Sequence, residues 1–179
     1  MTIMVAVLAF VAALGPVRQA SRLNGLSDSQ ALVAGAGTLA AICALAGVSG
    51  PLLDAGSVSV PTLRIGAGLA LGATSLLRLF RPLLPGEEPV IELEPGLTTA
   101  LVPAAWPVLL QPVVALVALS AGADRGWIQA GLLALPALTL WLFWCRRVPG
   151  DRTSAGVRSV AILGLVVGAV LVVDGIVDV

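Results

Sequence analysis

Few residues in this chain have chemistry to offer, and most of them gather where apolar sequence is interrupted. Gly15-Pro16 interrupts the first apolar stretch, and Arg18 and Gln19 follow directly. Pro103, Pro107 and Gln111 recur every four residues, which places them along one helix face. Pro112 comes next, within the longest charge-free run of the chain. Proline removes a hydrogen-bond donor from a helix and its ring crowds the preceding turn, so regular helix is hard to sustain at either place. Backbone groups freed at membrane depth must face protein or a wet cavity, so paired breaks at matching positions of a duplicated chain point to a solute pathway. The plainer reading is two proline kinks. Arg18 lies about 24 Å along a helix that starts near Thr2 and reaches the headgroup level by snorkelling, with a pathway role as the second reading.

Other chemistry is thinly represented. Histidine is absent, and Cys43 and Cys145 stand far apart inside apolar sequence with no CxxC or metal-ligand spacing. No carboxylate pair falls in apolar sequence, and no serine or cysteine has a plausible base nearby. The expectation is a protein that is not an enzyme and holds neither metal nor cofactor.

The elements that must position these residues follow from composition. Hydrophobic residues make up 58% of the 179, and the mean hydropathy is +1.03. That is more apolar sequence than a water-soluble domain carries, so the solvent is the lipid bilayer. Charged residues are 11% and collect between apolar stretches at roughly 2–20, 31–53, 61–80, 98–122, 127–145 and 157–177. These predict an all-α membrane protein of six transmembrane helices in a single polytopic domain over 1–179. The stretch from Met1 to Leu14 has no basic leader and no small-residue cleavage site before Pro16, so it reads as a retained first helix. Net charge is zero and every cation is arginine, a pattern that does not suggest nucleic acid.

Arginine placement predicts orientation. Arg18, Arg22, Arg78, Arg81, Arg146, Arg147, Arg152 and Arg158 flank the first, third and fifth connections, and only Arg64 and Arg125 flank the others. Arginines mark the cytoplasmic side, which puts both termini of a multi-pass bacterial inner-membrane protein outside and the 81–96 connection inside. Glu87, Glu88, Glu92 and Glu94 read as a solvated loop. Trp127, Trp141 and Trp144 bracket the fifth span as headgroup anchors.

An offset of 96 residues aligns Gly68-Leu69-Ala70-Leu71-Gly72-Ala73 with Gly164-Leu165-Val166-Val167-Gly168-Ala169, and Pro16-Val17 with Pro112-Val113. One gapless offset fitting two places predicts a duplication, with repeat one at 1–80, an acidic connecting loop at 81–96 and repeat two at 97–179. Three crossings per repeat make the pair inverted in topology. Gly68/Gly72 and Gly164/Gly168 nominate the third and sixth spans as close-packing helices. Arg64 and Asp174 intrude furthest into those spans from the outer side. A structural Arg64–Asp174 ion pair is expected, against the alternative of two separately snorkelling side chains, whereas Arg78 and Asp174 should lie at opposite faces.

These residues carry a resemblance to the MarC family of integral membrane proteins, grouped with the LysE-type exporters, over almost the whole chain. Gly15-Pro16-Val17-Arg18-Gln19 corresponds to the family's first-helix Asn-Pro-x-Gly-Asn. Val60-Pro61-Thr62-Leu63-Arg64-Ile65-Gly66-Ala67-Gly68 is similar to its Leu-Pro-x-x-Arg-Ile-x-Gly-Gly. Pro103, Pro107, Gln111, Pro112 and Val113 keep the proline spacing of its fourth helix, and Gly156-Val157-Arg158 resembles its closing Gly-x-Arg. The amides beside Pro16 and the glycines around Pro112 differ. The resemblance implies a six-helix membrane transporter or exporter of a small solute. A non-transporting accessory subunit of a membrane complex is the alternative, with a homo-oligomer or another membrane protein as partner.

Overall fold

In the computed structural model, residues 1–16, 27–80, 110–147 and 153–179 are described, and they are helical almost throughout. The helices are α1 (Ile3–Leu14), α2 (Asp28–Gly47), α3 (Ser49–Gly56), α4 (Val60–Phe80), α5 (Pro112–Arg125), α6 (Trp127–Arg147) and α7 (Thr153–Val177). Among them α2, α4, α6 over Trp127–Trp144 and α7 over Ala155–Val177 are long and apolar enough to cross a membrane, and α1 is a shorter apolar helix. Over its described residues the chain is thus all-helical, and its four apolar helices make it a multi-pass membrane protein.

Local sequence explains where the helices start and stop. The Thr2 hydroxyl accepts from the Val5 amide at the head of α1. Ser27 and Gln30 form a reciprocal capping box at the head of α2. α1 stops at Gly15, whose left-handed φ of 54° lets its amide close on Val11 O at 3.1 Å. The next residue, Pro16, has no amide to give the Ala12 carbonyl, so that oxygen is left for another donor.

Two boundaries differ from the apolar pattern. The stretch 31–53 is two helices, divided at Val48, and α3 runs on to Gly56 where a loop was expected. The cause is Pro51, which cannot donate to Gly47 but is tolerated in the first turn of α3. The connection expected over 122–126 narrows to Gly126 alone, whose φ of 82° and ψ of 165° make a turn that no side chain would adopt easily.

The bundle is built on two antiparallel pairs. Along α4 and α7, Ile65 lies by Gly175, Gly68 by Gly168 and Leu171, and Ser75 by Gly164. Along α2 and α6, Gly35 lies against Trp141, Cys43 against Gly131 and Gly47 against Trp127. Between these pairs sit α1 and α5, buried through Ala9, Phe10, Ala13, Val114, Val117 and Ala121. The polarity is that of a protein in lipid. On α4, Arg64, Ser75 and Arg78 are buried while Leu69, Leu76, Leu77 and Phe80 face outward. On α7, Ile162, Val166, Val170 and Val173 do the same.

The small-residue seam needs one correction. A Cβ on Gly68 would come within 2.7 Å of Gly168 O, one on Gly168 within 2.7 Å of Gly68 O, and one on Gly164 would collide with Ser75. A Cβ on Gly72 meets nothing within 4 Å. Gly72 is approached through its backbone by Gly168, but its own missing side chain makes no room. Trp141 is a second correction, because it is fully buried against Gly35 rather than placed at the bundle rim. Trp127, by contrast, is exposed.

Candidate functional site

Positions 64, 71 and 78 are seven apart and form one buried stripe on α4. Arginines stand at its two ends, about 21 Å apart at 1.5 Å per residue. Each enters a separate polar site.

At the first end the Arg64 guanidinium is a fork filled from two helices. Nη2 donates to Asp124 Oδ1 at 2.7 Å, and Nη1 donates to Asp174 Oδ2 at 2.8 Å and also to Asp178 Oδ2. Asp174 and Asp178 are four apart and so share one side of the end of α7, whereas Asp124 comes from the last turn of α5. Asp124 is 10% exposed, Asp174 38% and Asp178 50%, so the site grades from bundle interior to surface. The Met1 amine lies 3.4 Å from Asp174 and 3.7 Å from Asp124. Arg125 donates to Met1 O at 2.5 Å. A cavity of about 410 Å³ opens beside this network, lined by Met1, Asp124, Arg125 and Gln129. Each charge here would be costly if left in lipid alone; Arg64, the Met1 amine and the three aspartates each have an opposite charge in reach, and Arg125 is held by the Met1 carbonyl.

At the second end the acceptors among the described residues are two carbonyls and a side-chain amide. Arg78 donates from Nη1 to Ala12 O at 2.6 Å, and from Nη2 to Ala13 O at 3.0 Å and Gln111 Oε1 at 2.9 Å. Ala12 O is the carbonyl that Pro16 cannot serve, and Ala13 O belongs to the same unfinished turn. Gln111 is extended, with φ −72° and ψ 157°, and caps α5 with Pro112 at the first helical position. Gly15 leaves room for the guanidinium, since a Cβ there would sit 3.0 Å from Nη1 and 3.3 Å from Cζ. The negative end of the α1 dipole adds to the attraction for this cation.

The structure therefore brings together Arg64 with Asp174, and the end of α1 at Gly15-Pro16 with the start of α5 at Gln111-Pro112. Arg18, Gln19, Pro103 and Pro107 lie outside the described residues. Arg78, Asp124 and Asp178 were not singled out as site residues from sequence. Arg78 carried a signal, because it repeats the heptad phase of Arg64 on the same helix. Asp124 and Asp178 carried none, as each looks like an ordinary charge at a helix end. Among the described residues, no group of histidine, cysteine or carboxylate side chains is arranged to hold a metal. No family model matches the chain, and no curated protein or solved structure matches it.

Proposed function

We propose that this chain is a MarC-like bacterial inner-membrane transporter or exporter of a small solute, with six crossings in two inverted halves and both termini outside. The observation that carries the reading is the meeting of the two helix breaks at a buried arginine. Gly15-Pro16 and Gln111-Pro112 are equivalent under the 96-residue offset, and Arg78 bonds to the end of one broken element and the cap of the other. Interrupted helices that face one another inside a bundle offer backbone dipoles to a polar solute without exposing them to lipid.

Helix pairing lends support. The same offset relates α4 to α7 and α2 to α6, and both pairs run antiparallel, as inverted halves require. The Arg64 site lies at the end of α4 away from the breaks, where it ties α4 to α5 and α7.

Purified protein in proteoliposomes tests the proposal, using a panel of radiolabelled amino acids, organic acids and sugars. The expected result is protein-dependent flux of at least one of them, slowed at least tenfold by Gln111→Leu. The overturning result is a panel that neither moves nor binds, with protein that co-purifies stoichiometrically with another membrane protein. That outcome would favour the accessory-subunit reading.

A further inference from the structure

We infer that Ala12 O, Ala13 O and Gln111 Oε1 form a monovalent-cation site whose resident cation is the chain's own Arg78 guanidinium. Among the described residues three oxygens converge on this group, from the end of α1 and the start of α5, at 2.6, 3.0 and 2.9 Å. Arg78 is 4% exposed, so the oxygens close on it away from solvent. Two of them are main-chain carbonyls that belong to the last turn of α1, and Pro16 rather than any side chain is what leaves Ala12 O open. Gly15, in its left-handed conformation, keeps clear the space that the guanidinium fills.

Carbonyl oxygens at the C-terminal end of a broken helix, assisted by a side-chain amide, are the kind of ligand set with which interrupted transporter helices hold an alkali cation. Here the same kind of oxygen set is engaged by a charge that is covalently attached. The positive end of α5 lies just behind Gln111, and the Gln111 amide oxygen stands between that dipole and the guanidinium. A tethered cation needs no gradient to fill its site. Resting on the transport reading above, the consequence is that solute flux requires neither sodium nor potassium, because the charge these ions would contribute is built into α4.

The test begins with Arg78→Ala in detergent, followed by thermal unfolding in matched salts of guanidinium, sodium and N-methylglucamine. At about 10 mM guanidinium, far below denaturing concentrations, the vacated site should refill and raise Tm by about 2–4 °C. The wild type, already occupied, should not shift, and the Arg78→Ala/Gln111→Leu double variant should lose most of the gain. No shift in Arg78→Ala, or an equal shift in all three proteins, would overturn the site. If Arg78→Ala gives no folded protein, Arg78→Lys decides. An ammonium that keeps Tm within a few degrees of wild type supports a cation site, and a lysine variant as unfoldable as the alanine one overturns it. Flux in sodium- and potassium-free buffer is the second arm. Undiminished wild-type flux supports the replacement, and flux that demands an alkali cation overturns it. Absence of all flux would strike the transport reading alone, leaving the Tm comparison to judge the site.

Discussion

Arg64 gives its guanidinium to three carboxylates, and this changes what mutations at the cluster should do. A simple Arg64–Asp174 pair would tolerate exchange of the two charges. With Asp124 and Asp178 also in place, an aspartate at 64 would face two like charges, so the swapped double variant should be less stable than either neutral single variant. Arg64→Met leaves the buried Asp124 with only the Met1 amine at 3.7 Å and should cost about 3 kcal/mol, whereas Asp178→Asn, at a half-exposed position, should cost at most about 1 kcal/mol. Urea unfolding in a mild detergent would check the order, and equal losses would contradict it. Trp141 invites a second comparison. Trp141→Leu should cost about 3 kcal/mol or more by leaving a void against Gly35, while Trp127→Leu should stay near neutral. Brominated lipid should quench the fluorescence of Trp127 and spare Trp141. The pairing of Arg64 with Asp174 was legible from their places in the third and sixth spans. The burial of Trp141 was not, because a tryptophan near a cluster of arginines reads as an anchor until the partner helix is known.

Among the helices, close approach is set by individual glycines rather than by a repeated motif. Gly68→Ala and Gly168→Ala each push a methyl group toward a main-chain oxygen across the α4–α7 contact, and each should cost on the order of 2 kcal/mol. Gly72→Ala meets open space and should be neutral or gain up to about 1 kcal/mol through helix propensity. Thermal unfolding of the three variants is the measurement, and a Gly72 loss as large as that at Gly68 would refute the assignment. Gly126 is a poor reference for such a series because its φ of 82° makes any side chain strained there, and Gly66, with open space around it, serves better. The four-residue glycine spacing identified the right two helices. It could not say that Gly72 alone of the four has open space where a Cβ would stand, since that depends on how the helices are rotated. Gly122, where a Cβ would reach within 2.5 Å of the Ala46 backbone, had no spacing motif to announce it.

For the molecule as a whole, the orientation proposed from arginine placement makes residue 88 cytoplasmic. With Cys43 and Cys145 replaced by alanine, Glu88→Cys should resist a membrane-impermeant maleimide applied to intact cells and react after permeabilisation. Labelling of intact cells would reverse the topology. The offset of 96 was visible in a handful of residues, and the antiparallel run of α4 with α7 and α2 with α6 supports the proposal of inverted halves. The internal division at Val48 was hidden because a proline in apolar sequence reads equally well as a kink or as a new helix start.

The order in which Arg64 and its partners are made has a consequence for biogenesis. Arg78 finds Ala12 and Ala13 already synthesised, but Asp124, Asp174 and Asp178 follow Arg64 by 60, 110 and 114 residues. At ribosomal speed that is a wait on the order of 3 to 20 s, during which α4 carries a cation with none of its carboxylates. An arginine near the middle of an isolated apolar helix disfavours insertion by about 2.5–3.5 kcal/mol, and less toward the helix ends, so α4 is the segment most prone to slip back out of the translocon or to be held by a membrane chaperone. Pulse-chase of a nascent chain stopped at residue 82 should reveal rapid proteolysis, slowed when Arg64→Leu removes the waiting charge, and identical decay of the two chains would show that the delay has no cost.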